Sequence, residues 1–371
     1  MKDLSDFVAM SQEAGSRLDY VQAGGGNTSV KLDDGYMAIK ASGYQLKEMT
    51  GSSGFVAVDG ILLKKYFEQN RDEKNHGEQP LQSEQNRVDQ SHVEQTLQSE
   101  QNQLEQTDRN KESMDVAIAS IKSINSEVFA RPSVEIGFHS ILQKFVLHLH
   151  PVYAAVPLCC TGGMEILAGI LEAVGIGCIM VPYIMPGYKL TVTIRDAALK
   201  YENDTGVKPK VILMKNHGVI TTAQTAGEAL SLMYAVNEAV IDALELPPFE
   251  NEYSLRECAD GFECAKFPEI LRDPVIARAC GNSVLYPDQL VYIYNEVGLS
   301  EDEGKKILIG ERILYRAGAK EAEAMHETLL GVAYVHGCIA GKGLTPELFN
   351  DEECAQILGW DSEKYRRSLM K

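Results

Sequence analysis

Two kinds of segment alternate between residues 113 and about 245, and this alternation limits the fold more than any other feature of the chain. Segments with helical spacing of apolar residues, such as "TAGEALSLMYAVNEAVIDAL", follow short apolar segments typical of strands, such as "KVILMKNHGVITT". Residues 1–67 continue the pattern with one helix and the strand-like "TSVKL", "YMAIKAS" and "GFVAVD". Because such helices and strands bury their apolar faces against one another, the sequence predicts a layered α/β domain.

Two segments depart from this alternation. Residues 68–113 contain 10 Gln and 5 Asn, and within them "EQPLQSEQN" is followed by the nearly identical "EQTLQSEQN". This composition buries too little apolar surface to offset the entropy of ordering, so it predicts a disordered insertion, with a helical partner-binding arm as the alternative. Residues 250–371 are charged and mostly helix-like. We therefore expect an α/β domain over 1–249, which carries the insertion, and a helical C-terminal extension over 250–371.

Charge and composition exclude several classes of protein. The formal net charge is −18 and the pI is about 4.9, which argues against a nucleic-acid binder because phosphate contacts need clustered Lys and Arg. No stretch is long and apolar enough for a membrane span, and the N-terminus lacks the apolar segment of a secretory signal. The eight cysteines show no disulfide or zinc-ribbon spacing. A cytoplasmic protein with reduced thiols is the expectation.

A His-x-His motif, His148 and His150, ends one of the apolar strand-like segments. Residues i and i+2 of a strand face the same side, about 7 Å apart, so both imidazoles can share one ion at nitrogen–metal distances near ~2.1 Å. His217, in "KNHGVI", follows another apolar strand, where Gly218 allows close approach of the backbone. Three imidazoles that leave open positions are typical of catalytic zinc, although any one of them alone is more often a buried structural histidine.

Other histidines and one carboxylate stand near this motif in the sequence. Glu135 lies on the helix-like segment before it, where a carboxylate could serve as a fourth ligand or as a base. His139 shares that helix face, four residues on, and is expected to pack or to hydrogen-bond near the site. His326 and His336 have no partners in view and are expected to be structural.

A second cluster is rich in glycine. "AGGGNTSVK", residues 23–31, places three glycines before side-chain donors, and "KASG", residues 40–43, offers another turn. Successive backbone N–H groups in such turns can form an anion-binding concavity, to which Lys31 and Lys40 add positive charge. A dinucleotide fingerprint needs glycines between a strand and a helix, whereas here a strand follows them. The cluster therefore argues against a dinucleotide site and leaves two interpretations open, a phosphate site and a pair of ordinary turns.

Together these motifs resemble those of the class II aldolase/adducin family. "GGGNTS", "KASG", "RPSVEIGFH", "VLHLHP", "VPYIMPGYKL" and "KNHGVI" occur in the family's order. They are most similar to rhamnulose-1-phosphate aldolase domains of the bifunctional aldolase/dehydrogenase type, although no nucleotide fingerprint of a dehydrogenase follows. The resemblance covers roughly residues 5–245. It implies an α/β/α sandwich around a mainly antiparallel sheet, and a homo-oligomer, usually a tetramer with active sites between subunits.

The resemblance also implies a role for each site residue. It implies Zn²⁺ bound by His148, His150 and His217, with Glu135 as the catalytic carboxylate. It implies a phosphate site formed by Gly26, Asn27, Ser42, Gly43 and Ser133. Val134 stands where several aldolases have a second phosphate-binding serine. One donor of the usual phosphate site is thus missing.

The implied activity is that of a class II, metal-dependent aldehyde-lyase. Such an enzyme cleaves or forms a ketose 1-phosphate through a metal-stabilised enediolate of dihydroxyacetone phosphate, with an aldehyde as the second substrate. Glu135 would remove the proton, and Tyr183 and Tyr188 are candidates for the acid. Two alternatives stay open: a phosphopentose 4-epimerase with the same zinc and glutamate, and a non-catalytic adducin-like scaffold. The presence of all three histidines favours an enzyme.

Overall fold

Eight strands form the main sheet of the computed structural model, which describes residues 2–69, 107–122 and 130–359. In chain order they are β1 (Asn27–Lys31), β2 (Tyr36–Lys40), β3 (Phe55–Asp59), β4 (Ile121–Lys122), β5 (Phe145–Leu149), β6 (Ile179–Val181), β7 (Val211–Met214) and β8 (Gly218–Ala223). Across the sheet the order is β4-β3-β2-β1-β5-β8-β7-β6, and only β6 and β7 pair in parallel. The predicted mainly antiparallel sheet is confirmed.

Helices cover both faces of this sheet. They are α1 (Lys2–Gly15), α2 (Gly60–Gln69), α3 (107–119), α4 (Ile136–Ile141), α5 (Val152–Leu158), α6 (Gly163–Ala173), α7 (Tyr188–Thr205) and α8 (Ala226–Leu244). Helices α1, α5, α6 and α8 pack on the face that includes Leu147 and Leu149 of β5, whereas α4 and α7 pack on the face of Val146. Successive strand residues point to opposite faces, so one strand serves both layers. The predicted α/β/α sandwich is confirmed.

The segment "KVILMKNHGVITT", predicted as one strand, forms two. Strands β7 and β8 pair antiparallel, and the turn between them covers residues 215–217. Asn216 adopts a φ of 49° in this turn, a left-handed conformation that Asn tolerates better than most residues. The consequence is that His217 lies in a tight turn at the end of the sheet.

Most of the predicted insertion lies outside the described residues. Its described parts are residues 68–69, which end α2, and residues 107–113, which belong to α3. Helix α3 is held to α7 at this point, because the backbone N–H of Tyr188 donates to Oδ1 of Asn110 at 2.8 Å. The boundary expected at 113 therefore falls inside a helix.

The described part of the extension, residues 250–359, contains helices and also strands. The helices are α9 (Pro274–Asn282), α10 (Pro287–Tyr292), α11 (Ala319–Gly341) and α12 (Asp351–Gly359). A second sheet was not expected; its strands are β9 (Leu255–Cys258), β10 (Gly261–Cys264), β11 (Val297–Gly298), β12 (Ile307–Ile309) and β13 (Ile313–Tyr315). Their order is β11-β12-β13-β10-β9. With two to four residues each, these strands are too short to show a clear alternation in sequence.

Helix α11 joins the extension to the α/β domain. Its apolar side chains belong to the same buried cluster as those of α5 and β5, and Tyr334 packs edge-on against Tyr153 with ring centroids 5.7 Å apart. The apolar core thus runs across the boundary near residue 250. Within the described residues, no helix combines the length and apolar composition that crossing a membrane requires.

Two glycines of α6 provide a matched test of the packing between α5 and α6. A Cβ on Gly163 would lie 1.7 Å from the carbonyl oxygen of Pro157, whereas a Cβ on Gly169 meets no atom within 4 Å. We expect Gly163→Ala to lower the free energy of unfolding by about 3 kcal/mol, because the backbone must move. Gly169→Ala should raise it by ~0.5–1 kcal/mol through helix propensity. Urea unfolding measures both, and equal effects would contradict the close contact at Gly163.

Candidate metal centre

The three histidines singled out in the sequence converge at one end of the main sheet. His148 is in β5, His150 directly follows that strand, and His217 lies in the turn between β7 and β8. One nitrogen from each ring lies within 4.8 Å of the other two. Gly218 makes room for them, since a Cβ there would lie 2.8 Å from Cδ2 of His150 and 3.2 Å from Cε1 of His148. These three imidazoles could hold one metal ion.

Hydrogen bonds to the outer ring nitrogens determine which nitrogens face inward. Nδ1 of His148 lies 3.2 Å from the carbonyl oxygen of Val219, and Nδ1 of His150 lies 2.5 Å from Oδ2 of Asp288. A carbonyl and an ionised carboxylate only accept, so each Nδ1 carries the proton and each Nε2 presents a lone pair. The two Nε2 atoms are 3.0 Å apart. Lone pairs at this distance repel each other unless a cation binds both, so the donor set fits a metal.

Glu135 faces the same imidazoles. It occupies the N-cap position of α4. Its Oε1 lies 3.2 Å from Nε2 of His217, and its Oε2 lies 3.5 Å from Nε2 of His148. Oε1 is buried, and no described group donates to it with good hydrogen-bond geometry although Nε2 of His217 lies 3.2 Å away; a cation between these two atoms would fit this arrangement. Burial would raise the pKa of Glu135, but the two imidazoles and the amide of Asn27 hold that pKa well below its ordinary value. Burial lowers the pKa of His148 to about 3, against the opposing effect of Glu135.

A buried chain of hydrogen bonds positions the Glu135 carboxylate. Nδ2 of Asn27 donates to Oε2 of Glu135 at 2.6 Å and to Oγ of Ser133 at 3.2 Å. Nε2 of His139 contacts Oδ1 of Asn27, and Nδ1 of His139 lies 2.7 Å from Oγ of Ser29. Because the amide oxygen of Asn27 accepts from His139, its NH₂ group faces the carboxylate. His139 thus has a hydrogen-bonding role beside the site.

The predicted phosphate-binding residues lie beside this chain. Asn27 begins β1, and Ser42 and Gly43 lie in the turn that follows β2. The backbone N–H of Ser42 donates to the carbonyl oxygen of Arg131 at 2.8 Å, which brings this turn to the segment that carries Ser133. Gly43 adopts a φ of 87°, a conformation suited to glycine. The structure therefore brings together the loops that carry these four residues.

The glycine turn at residues 23–26 contacts the extension. The backbone N–H of Ala23 donates to Oε2 of Glu327 at 2.6 Å, and that of Gly24 donates to the hydroxyl of Tyr292 at 3.2 Å. The backbone N–H of Gly25 donates to the carbonyl oxygen of Gln22 at 3.0 Å. Three successive amides of the expected anion concavity thus already have acceptors within the chain.

Gly26, the last residue of this turn, adopts a φ of 63°, and a Cβ there would lie 2.7 Å from the carbonyl oxygen of His148. The turn packs closely against β5.

The two lysines expected beside the glycine turn have different surroundings. Nζ of Lys40 lies 3.3 Å from the carbonyl oxygen of Gly24, at the turn itself. Nζ of Lys31 instead donates to the carbonyl oxygens of His139 and Gln143, at 2.7 and 2.6 Å. Burial lowers the pKa of Lys31 to about 7. Lys31 therefore holds the chain between α4 and β5.

The remaining candidates lie in packed regions. Tyr183 packs against Phe349, with ring centroids 4.5 Å apart, and Tyr188 packs against Phe67 at 5.9 Å. Two histidines of the extension have structural partners: Nδ1 of His326 lies 2.6 Å from the Tyr315 hydroxyl, and Nε2 of His336 lies 3.0 Å from the Ser283 carbonyl oxygen. The structural role expected for these histidines agrees with these contacts.

Sequence reasoning missed the residues that the extension brings to the site. Asp288, Tyr292 and Glu327 contact His150 and the glycine turn, although more than 130 residues separate the partners. "YPDQL" indicates the start of a short helix, because Pro is favoured at the first helical position. No local pattern indicates that its aspartate meets a histidine of another region.

The fold and the cluster define an α/β protein with a candidate metal centre at one end of an antiparallel sheet. More specifically, the chain belongs to the class II aldolase and adducin family, whose N-terminal domain model matches residues 5–82 and 102–241. No curated protein matches the chain.

Several solved structures are similar to part of this chain. One is the N-terminal class II aldolase domain of a conserved protein from Thermoplasma acidophilum, with 21% identity over 65% of this chain and 93% of that one, at a TM-score of 0.45. L-fuculose-1-phosphate aldolase from Thermus thermophilus has 14% identity over 65% and 92%, at 0.37. A sugar-phosphate aldolase from Thermotoga maritima has 14% identity over 65% and 97%, at 0.38.

Binding of a metal ion to the three imidazoles should stabilise the folded chain. At a free zinc concentration 100 times the dissociation constant, we expect the free energy of unfolding to rise by about 2.7 kcal/mol. The measurement is urea unfolding with zinc and with a chelator. The His148→Ala/His150→Ala double variant is the control and should show no difference between the two conditions. A zinc effect of equal size in that variant would place the ion elsewhere.

Proposed function

We propose that this chain is a zinc-dependent aldolase that cleaves or forms a ketose 1-phosphate. The observation that carries the proposal is the pair of Nε2 atoms, 3.0 Å apart, on two rings whose Nδ1 atoms face a carbonyl oxygen and a carboxylate. Membership of the class II aldolase and adducin family supports the same chemistry. Neither the pair of Nε2 atoms nor the family membership depends on which sugar is the substrate.

The proposed zinc ligands are His148, His150 and His217, with Glu135 within reach of the ion. Imidazoles are ordinary zinc ligands, and three of them leave a coordination position open for substrate. Bound there, Zn²⁺ supplies a Lewis acid that polarises the substrate carbonyl. The four side chains are buried or nearly so, and burial strengthens the electrostatic interactions among them.

Glu135 is the proposed base. Its low pKa keeps the carboxylate ionised, and its Oε1 faces Nε2 of His217 at 3.2 Å, inside the histidine cluster. In the direction of synthesis, Glu135 takes the proton from the carbon beside the carbonyl of dihydroxyacetone phosphate. The electron pair left on that carbon attacks the aldehyde carbon and forms the new carbon–carbon bond. At the same time the C=O π bond breaks, and the aldehyde oxygen takes up a proton from a general acid, for which Tyr183 and Tyr188 are the candidates. Cleavage of the ketose 1-phosphate runs through the same steps in reverse, with Glu135 returning the proton.

The proposed phosphate site combines donors from three loops. It comprises Gly26, Asn27, Ser42, Gly43 and Ser133. Asn27 contacts both Ser133 and Glu135, so it links the proposed phosphate site to the proposed base. Val134 offers no hydroxyl, which leaves one donor fewer than in several aldolases.

The sequence motifs support a more specific proposal about the substrate, the location and the oligomeric state. We propose a substrate of the rhamnulose 1-phosphate type, a cytoplasmic location and a homotetramer with active sites between subunits. In this proposal residues 1–249 are the catalytic domain and 250–371 an extension of it. Light scattering of the full chain tests the tetramer directly.

Proton exchange tests the proposed base without knowledge of the aldehyde. In heavy water, the zinc-loaded protein should exchange one C3 proton of dihydroxyacetone phosphate, followed by NMR, and a chelator should stop the exchange. Glu135→Gln should slow it by about 10²- to 10⁴-fold because the base is lost, while zinc stays bound. Glu165→Gln, at an exposed position of α6, is the matched control and should leave the rate unchanged.

Other outcomes of this experiment would support the alternatives. A zinc-loaded protein that leaves dihydroxyacetone phosphate unexchanged but epimerises a pentulose phosphate at C4 would be a phosphopentose 4-epimerase. A protein that binds no stoichiometric zinc would be an adducin-like scaffold. Either result contradicts the proposed aldolase.

A further inference from the structure

The C-terminal extension reaches the candidate metal centre through one carboxylate. Asp288 lies in the first turn of α10 and is 2% exposed, with Oδ2 at 2.5 Å from Nδ1 of His150. The contact needs a glycine beside it. A Cβ on Gly25 would lie 2.6 Å from that carboxylate oxygen and 3.2 Å from the same ring nitrogen.

We infer that Asp288 is a positioning residue for the metal, which orients His150 and makes the extension part of the metal centre; the inference rests on the zinc site of the proposed function. The carboxylate accepts a hydrogen bond from the Nδ1–H group of His150, and this leaves the Nε2 lone pair of His150 directed at Nε2 of His148. A histidine ligand whose other nitrogen donates to a carboxylate is fixed in tautomer and orientation, and it becomes a more basic ligand.

Contacts on both sides of His150 hold the extension in place. Beside the glycine turn, the Tyr292 hydroxyl and Glu327 accept backbone hydrogen bonds, and Nζ of Lys47 lies 3.2 Å from Oε1 of Glu327.

Beside His217, the turn between β7 and β8 is anchored as well. Nδ2 of Asn216 donates to the carbonyl oxygens of Leu285 and Glu347, both at 2.8 Å. Lys215 forms an ion pair with the Glu347 carboxylate at 2.5 Å. Asp288 lies three residues after Leu285, so its approach to His150 is set by bonds to the turn that carries another proposed ligand. These contacts therefore hold Asp288 beside His150 in the folded chain.

Zinc affinity of the full-length protein tests the inference without an activity assay. Competition with a chromophoric chelator gives the dissociation constant of each variant. We expect Asp288→Ala to weaken zinc binding by about 10- to 100-fold. Asp288→Asn should have a smaller effect, because its amide oxygen can still accept the hydrogen bond while the charge is lost. The visible spectrum of the cobalt-substituted protein should change in Asp288→Ala, since His150 is no longer fixed.

The control variant is Asp302→Asn, an exposed carboxyl of the extension, which should bind zinc as the wild type does. If Asp288→Ala binds zinc with the wild-type dissociation constant, the inference is wrong and the proposed function stands. If the wild type binds no zinc at these histidines, the proposed function fails and the inference fails with it. The two failures are therefore distinguishable.

A second measurement on the wild type covers the case in which Asp288→Ala does not fold. ¹⁵N NMR of histidine-labelled protein reports the tautomer of His150, whose signal is identified by its loss in His150→Gln. The inference requires a proton on Nδ1 and none on Nε2 in the metal-bound protein. Coordination through Nδ1, or a proton on Nε2, would overturn it.

Discussion

The arrangement of the candidate site depends on the tautomers of His148 and His150, that is, on which ring nitrogen carries the proton. The Val219 carbonyl and the Asp288 carboxylate each accept from an Nδ1, and this turns both Nε2 lone pairs toward one point. The sheet supplies the first acceptor, because Val219 of β8 pairs with Leu149 of β5, and the extension supplies the second. One cation at this point would relieve the repulsion between the facing lone pairs and the nearby carboxylate of Glu135.

Local rules explain what the sequence could predict. Strand alternation correctly places His148 and His150 on one side, because the rule needs only adjacent residues. Helix and strand periods over the first 245 residues predict a layered α/β domain, and the family resemblance adds the arrangement as an α/β/α sandwich. The division of β7 from β8 was missed because both strands are apolar, and the turn between them uses Asn216 in a left-handed conformation without a Gly-Pro signal.

Long-range contacts explain what the sequence could not predict. A glycine-rich turn is equally suited to cradle an anion and to let another segment approach closely, and only the folded chain distinguishes the two uses. At residues 23–25 the amides bind Gln22 and two side chains of the extension. Asp288 carries no local sign of its partner, and the short strands of the second sheet show too little periodicity to be recognised.

The bond between Ala23 and Glu327 spans 304 residues, and that between His150 and Asp288 spans 138. Contacts of such sequence separation form late in folding, since closure of a long loop costs entropy before any contact compensates for it. During synthesis the main sheet emerges from the ribosome well before α10 and α11 exist. The contact of Asp288 with His150 can therefore form only after α10 has been synthesised, later than the strand that carries His148.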